Sequence, residues 1–82
     1  MKNIDVIKGF INGEVKAKTK NLYIEGDNLI NYSTIIATRN NGFKVNSTKY
    51  SQSTSTIQNA LRRELNANGI TFIEVDGKEM NA

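Results

Sequence analysis

The chain has 82 residues, enough for one domain and too few for two. It contains no cysteine and no histidine, which removes disulfides, thiolate zinc sites and the usual general base near neutral pH. The formal net charge is +3, and no apolar run approaches the roughly 20 residues a membrane span needs.

The N-terminus, Met1-Lys2-Asn3-Ile4-Asp5, lacks the apolar stretch of a secretion signal. With no membrane segment either, the chain reads as cytoplasmic. Residues 1–4 and 77–82 are expected to be loose ends of a single domain over 1–82. Asn12-Gly13, Gly26-Asp27-Asn28, Asn41-Gly42 and Asp76-Gly77 mark turns, because these residue types tolerate positive φ. The turns divide the first half into short strands. Glu14 to Lys18 alternates, with Val15 and Ala17 on one face and Lys16 and Lys18 on the other. Leu22 to Glu25 is a second strand. Asn28 to Thr38 is a longer stretch whose alternation breaks near Ser33-Thr34, where a bulge or sharp bend would keep Ile30 and Tyr32, then Ile35 and Ala37, on one core. Phe43 to Ser47 returns after Asn41-Gly42.

The period then changes from two to about 3.6. Ile57, Leu61 and Leu65, flanked by Ala60, predict an amphipathic helix over about 56–68. Ser55 with Gln58 three residues on resembles a capping box, and Gly69 suits a left-handed C-terminal cap. Ile70 to Val75 reads as a last strand. The fold class is α+β: a curved antiparallel sheet of four to six short strands with one helix on a face. That helix would bury Ile57, Leu61 and Leu65 against Ile24, Ile30, Tyr32, Ile36, Phe43 and Val45.

The chemistry-bearing patterns of enzymes are missing. The glycines are isolated, so there is no phosphate loop, and the acids form no calcium loop or acid pair. Nothing calls for a cofactor, a metal or catalysis. The charge distribution says more. No acid lies between Asp27 and Glu64, while Arg39, Lys44, Lys49, Arg62 and Arg63 do. In the same interval, seven of the eleven residues from Asn46 to Thr56 are Ser or Thr, and they lead into a helix N-terminus. Exposed first-turn amides there favour an anion. Arg39, Lys44, Lys49, Tyr50, Ser51 and Arg62 are therefore the candidate partner- or anion-binding residues. Capping alone also explains the hydroxyls. Lys16, Lys18 and Lys20 form a second basic stripe, which fits an edge kept soluble by lysines. Tyr23 and Tyr50 fall on the polar side of the pattern and suit interface contacts.

The segments Asn31-Tyr32-Ser33-Thr34-Ile35-Ile36-Ala37 and Tyr50-Ser51-Gln52-Ser53-Thr54-Ser55, followed by Ile57-Gln58, carry a resemblance. They are similar to small proteins of phages and other mobile elements of low-GC Gram-positive bacteria. The shared pattern is Tyr-x-Thr-x-Ile-Ala, a hairpin, then Tyr-Ser-x-Thr-Thr-Ser-x-x-Gln. It covers roughly residues 20–68, with Ser53 standing where the pattern has threonine. The resemblance implies a genomic setting, that of phage and mobile-element genes, whose small non-enzymatic products often inhibit host defence. By that analogy of setting the chain is expected to be an accessory protein that binds a host protein or protein–nucleic acid complex, such as a CRISPR effector. A direct nucleic-acid or nucleotide binder is the other reading, and self-association is compatible with both.

Overall fold

The computed structural model describes residues 2–81. Its elements are α1 (Asn3–Ile11), β1 (Leu22–Glu25), β2 (Asn28–Asn31), β3 (Thr34–Thr38), β4 (Phe43–Asn46), α2 (Gln52–Ala67), β5 (Phe72–Val75) and α3 (Gly77–Met80). The five strands form one open sheet in chain order, so the α+β class holds. The first three pairings are antiparallel, as expected. The fourth, β4 with β5, is parallel, because α2 carries the chain back across the sheet before β5 begins.

Three helices are present where the sequence led us to expect one. Helix α1 takes up Asn3 and Ile4 from the N-terminal segment expected to be loose, while Met1 lies outside the described residues. Val6, Ile7 and Phe10 fall on one stripe of α1 and are fully buried. Asp5 Oδ2 accepts from the Lys2 amide at 2.9 Å and fixes the first turn. Asn12-Gly13 is not a hairpin turn but the end of this helix. Gly13 adopts φ 88°, and Glu14 N–H donates to the Gly9 carbonyl at 2.9 Å, a Schellman closure. A left-handed residue serves either purpose, so the dipeptide alone does not choose between them.

Glu14 to Lys18 is not a strand. It makes one bridge, Lys18 with Tyr23, and Val15 is exposed. The stretch Asn28 to Thr38 is a hairpin rather than one bent strand. Tyr32-Ser33 forms its turn, with Tyr32 at φ 58° and 57% exposed instead of in the core. A bulge follows, since Leu29 faces Ala37 while Ile30 faces Ile35. The additional residue, Ile36, lets Ile36 and Ala37 both be buried.

Helices α1 and α2 pack side by side on one sheet face. Leu22, Ile24, Leu29, Ile36, Ala37 and Val45 meet Val6, Ile7, Phe10, Ile57, Leu61 and Leu65 there. Ile30 is buried outside this cluster. Helix α2 starts a turn earlier than the predicted 56. Ser51, not Ser55, is its cap, accepting from Thr54 N–H at 3.4 Å. The early start places Gln58 too far into the helix to reach the cap, and its Nε2 instead donates to the Asn46 and Thr48 carbonyls at 2.9 and 3.1 Å. Gly69 ends the helix at φ 66°, as its position predicted.

The C-terminal segment expected to be loose is also engaged, apart from Ala82, which lies outside the described residues. Asp76 caps the short α3, accepting from Lys78 N–H at 2.7 Å. Helix α3 sits on β3, and the Asn81 side chain clasps Ile35 there. Asn81 Oδ1 accepts from Ile35 N–H at 2.8 Å, and its Nδ2 donates to the Ile35 carbonyl at 3.1 Å. The β3–β4 ladder begins only at Ala37, so the Ile35 amide takes its partner on that side from Asn81, while its carbonyl also accepts from the Asn46 side chain. No helix among the described residues is long and apolar enough to cross a membrane.

Candidate functional site: a polar cleft and an open sheet face

The acid-free interval does not fold into one basic surface. Arg39 ends β3's descent into the β3–β4 loop, and its side chain is only 10% exposed. Its guanidinium donates to the carbonyls of Phe10 at 2.6 Å, Glu14 at 2.7 Å and Gly26 at 2.9 Å. It also stacks 4.9 Å from the Phe10 ring centre and lies 3.6 Å from Asp27. A planar fork with several donors suits this task, and the arginine thereby ties the end of α1 to the β1–β2 turn. Little of it is left for a ligand.

Tyr50 and Ser51 are engaged as well. The Asn46 side chain, fully buried, donates to the Tyr50 hydroxyl and the Ile35 carbonyl, each at 3.0 Å, and accepts from Thr48 N–H at 2.9 Å. Thr48 Oγ1 in turn accepts from Gly77 N–H at 2.8 Å. A side chain at Gly77 would have to displace the Tyr50 hydroxyl and crowd Thr48 and Asn46, so glycine lets α3 start here without disturbing the knot. Ser51 caps α2, and Thr54, buried behind it, donates to Asn31 Oδ1 at 2.6 Å. The hydroxyl-rich segment is thus largely a polar knot that fastens the β4–α2 connection to α3 and β2.

Lys49 and Arg62 are the two candidates that come together. With Ser47, Thr48, Ser55, Gln58, Asn59 and Glu74 they line a cleft of about 420 Å³. Arg62 bonds Glu74 at 2.9 Å, the Asn46 carbonyl at 3.3 Å and Asn59 at 3.1 Å, while its Nε is buried without a partner among the described residues. The glutamate offsets the arginine's charge, leaving Lys49 as the cleft's uncompensated cation. Lys44 is elsewhere, on the sheet face away from α1 and α2.

That second face is what the sequence reading missed. Ile35, Thr38, Lys44, Ile73, Val75, Glu79 and Met80 line a recess of about 430 Å³ on it, covered only partly by α3. Ile73 is 57% exposed, among the most exposed large apolar side chains of the chain. The sequence does contain a signal: Phe72-Ile73-Glu74-Val75 puts Ile73 and Val75 on one side and Phe72 with Glu74 on the other, so each face of the strand carries apolar residues. Only one of them has a helix long enough to bury it.

Lys16 and Lys18 border a third, smaller recess with Ala17, Tyr23 and Ile24 at the opposite end of the sheet. Comparison with protein-family models, with curated proteins and with solved structures finds no match to this chain.

Proposed function

We infer that this chain is a small non-enzymatic protein that works by stoichiometric binding to a protein partner. The observation that carries the reading is the open sheet face, where Ile73, Val75, Ile35 and Met80 border a recess with no helix spanning it. The recess mixes exposed Ile73 with Thr38, Lys44 and Glu79, and such a combination of apolar and polar contacts suits a protein partner. The placement of Arg39 and Lys44 away from the Lys49–Arg62 cleft supports the same reading against an extended anion-binding surface. The similarity to small mobile-element proteins extends it: the partner would be a component of a host defence system, such as a CRISPR effector, blocked by occupation.

The test is capture from a lysate of a low-GC Gram-positive host by the tagged chain, before and after nuclease treatment. A defined protein retained in stoichiometric amount after nuclease supports the reading. Retention of nucleic acid alone sinks it.

The second reading is an anion site in the cleft where Lys49 and Arg62 meet beside Ser47, Thr48 and Ser55. It would accept a phosphate of a nucleotide or nucleic acid. A fluorescent single-stranded oligonucleotide, titrated at low salt against the chain and Lys49→Glu, decides it: no binding by the parent ends this alternative.

A further inference from the structure

The two edges of the sheet are finished differently. The outer edge of β1 is covered by the chain itself: Ile24 N–H donates to the Ala17 carbonyl at 3.0 Å, and Thr19 N–H to the Leu22 carbonyl at 2.7 Å. Lys16, Lys18 and Lys20 then stand on or beside that covering segment, the usual guard against further pairing. The outer edge of β5 has no covering segment among the described residues, and its one charged side chain, Glu74, is paired with Arg62. The Val75 carbonyl accepts from Ser47 N–H at 2.8 Å, so Val75 turns its backbone groups toward β4. By strand alternation Ile73 does the same, and Phe72 and Glu74 turn theirs outward. Among the described residues nothing bonds these outward groups. The strand holds no proline and no lysine.

A recess opens on each side of this edge. On the open face Ile73 and Val75 border the one shared with Met80 and Ile35. On the helix side Asn66, Ile70, Phe72 and Glu74 border another, of about 640 Å³. A strand added to β5 would send alternate side chains into the two.

We propose that β5 is a docking edge that takes up an extended segment of a partner protein as a sixth strand, with apolar side chains facing Ile73 and Val75. The proposal rests on the protein-binding reading and names the chemistry of its partner. A second copy of this chain is a poorer occupant. Strand β5 spans only about 13 Å at the usual rise, and a stable dimer buries about 800 Å² per partner. Two copies would have to make up the remainder with the polar flank of α2, which presents Asn59, Arg62 and Asn66. An extended segment reaches its area through the two recesses instead.

The probe is a phage-displayed library of random segments of about ten residues, a long strand's length, panned on the immobilised chain. Selected segments should alternate apolar and polar residues. As synthetic peptides they should bind the parent and Lys18→Glu alike, and Ile73→Asp at least about tenfold more weakly. Circular dichroism should give all three proteins the same melting temperature, since Ile73 is largely exposed. Hydrogen exchange gives a readout that needs no variant. In the free chain the Phe72 and Glu74 amides should exchange faster than those of Ile73 and Val75, and bound peptide should slow them. No enriched segment, equal binding to Ile73→Asp, or protection arising on another element would each overturn the proposal. So would a dimer of the parent in sedimentation equilibrium that Ile73→Asp dissolves. The two claims separate cleanly. A lysate protein captured equally by Ile73→Asp removes the edge and leaves the protein-binding reading standing, whereas a lysate yielding only nuclease-sensitive material removes that reading.

Discussion

From Asn46 to Thr54 the chain is dense in polar side chains, and most of them hydrogen-bond within the molecule, although Ser47, Lys49, Tyr50, Ser51, Gln52 and Ser53 stay exposed. From Phe72 to Val75 polar side chains are few, and what is left without partners among the described residues is the outward backbone of Phe72 and Glu74, with one exposed isoleucine beside it. By composition the first region looks like a ligand site and the second like ordinary core. The structure reverses this. A hydroxyl in a connection between strand and helix has orphan amides and carbonyls close by and bonds them first. An apolar strand at a sheet edge has a second face that only an added layer can cover. Chemical richness along the sequence therefore marks where the chain must satisfy itself, and what remains outside is found by asking what the fold failed to cover.

The largest effect is expected from damage to the polar knot. Asn46→Ala removes the buried side chain that serves Ile35, Thr48 and Tyr50, and should cost about 3 kcal/mol, because the groups it leaves behind stay buried. Urea unfolding followed by circular dichroism measures it. A loss too small to resolve would mean that water replaces the amide and that the knot is not structural. Arg39→Lys should cost about 2 kcal/mol in the same assay, since an ammonium cannot reach the carbonyls of Phe10, Glu14 and Gly26 together. Stability equal to the parent would return Arg39 to the list of residues free for a ligand.

Capping effects are smaller. Ser51→Ala should lose about 1 kcal/mol and Ser55→Ala about half as much or less. The opposite order would restore the later helix start that the Ser55–Gln58 spacing predicted. The smallest effects belong to the other region: Ile73→Asp and Lys49→Glu should each leave stability within about 0.5 kcal/mol of the parent. A marked loss from Ile73→Asp would show that its face is packed in solution and would erase the contrast.

Much of the fold was legible from residue spacing. Ile57, Leu61 and Leu65 predicted the long helix and its buried stripe, Gly69 its end, and Gly26-Asp27 and Asn41-Gly42 two hairpin turns. Helix α1 was legible too, in the helical spacing of Val6, Ile7 and Phe10, but β-branched residues and Gly9 give so short a segment little intrinsic preference for helix. The Tyr32-Ser33 turn had no glycine to announce it. Of the candidate residues, Lys49 and Arg62 meet in one cleft, Tyr50 and Ser51 follow Lys49 in the chain but hydrogen-bond within the polar knot, and Arg39 and Lys44 lie elsewhere.

The residues quoted for the mobile-element resemblance are informative here. Tyr50, Ser51, Thr54 and Gln58 all take part in the cap or the polar knot. In this chain that part of the pattern describes how a connection is fastened, and it leaves the surface of β5 unspecified.

By itself the sequence determined the α+β class, the main helix, the hairpin turns with glycine at positive φ, and the absence of thiol and imidazole chemistry. Those depend on local spacing, on φ preferences and on which side chains exist at all. The tertiary structure decided the rest: that β5 runs parallel to β4, that Asn81 and Gly77 anchor α3, that Arg39 faces inward, and that one sheet edge is sealed and the other open. Each of these depends on which distant groups arrive within bonding distance, about 3 Å. A hydrogen-bonding side chain carries no mark along the chain of whether its partner will be a ligand or the protein's own backbone.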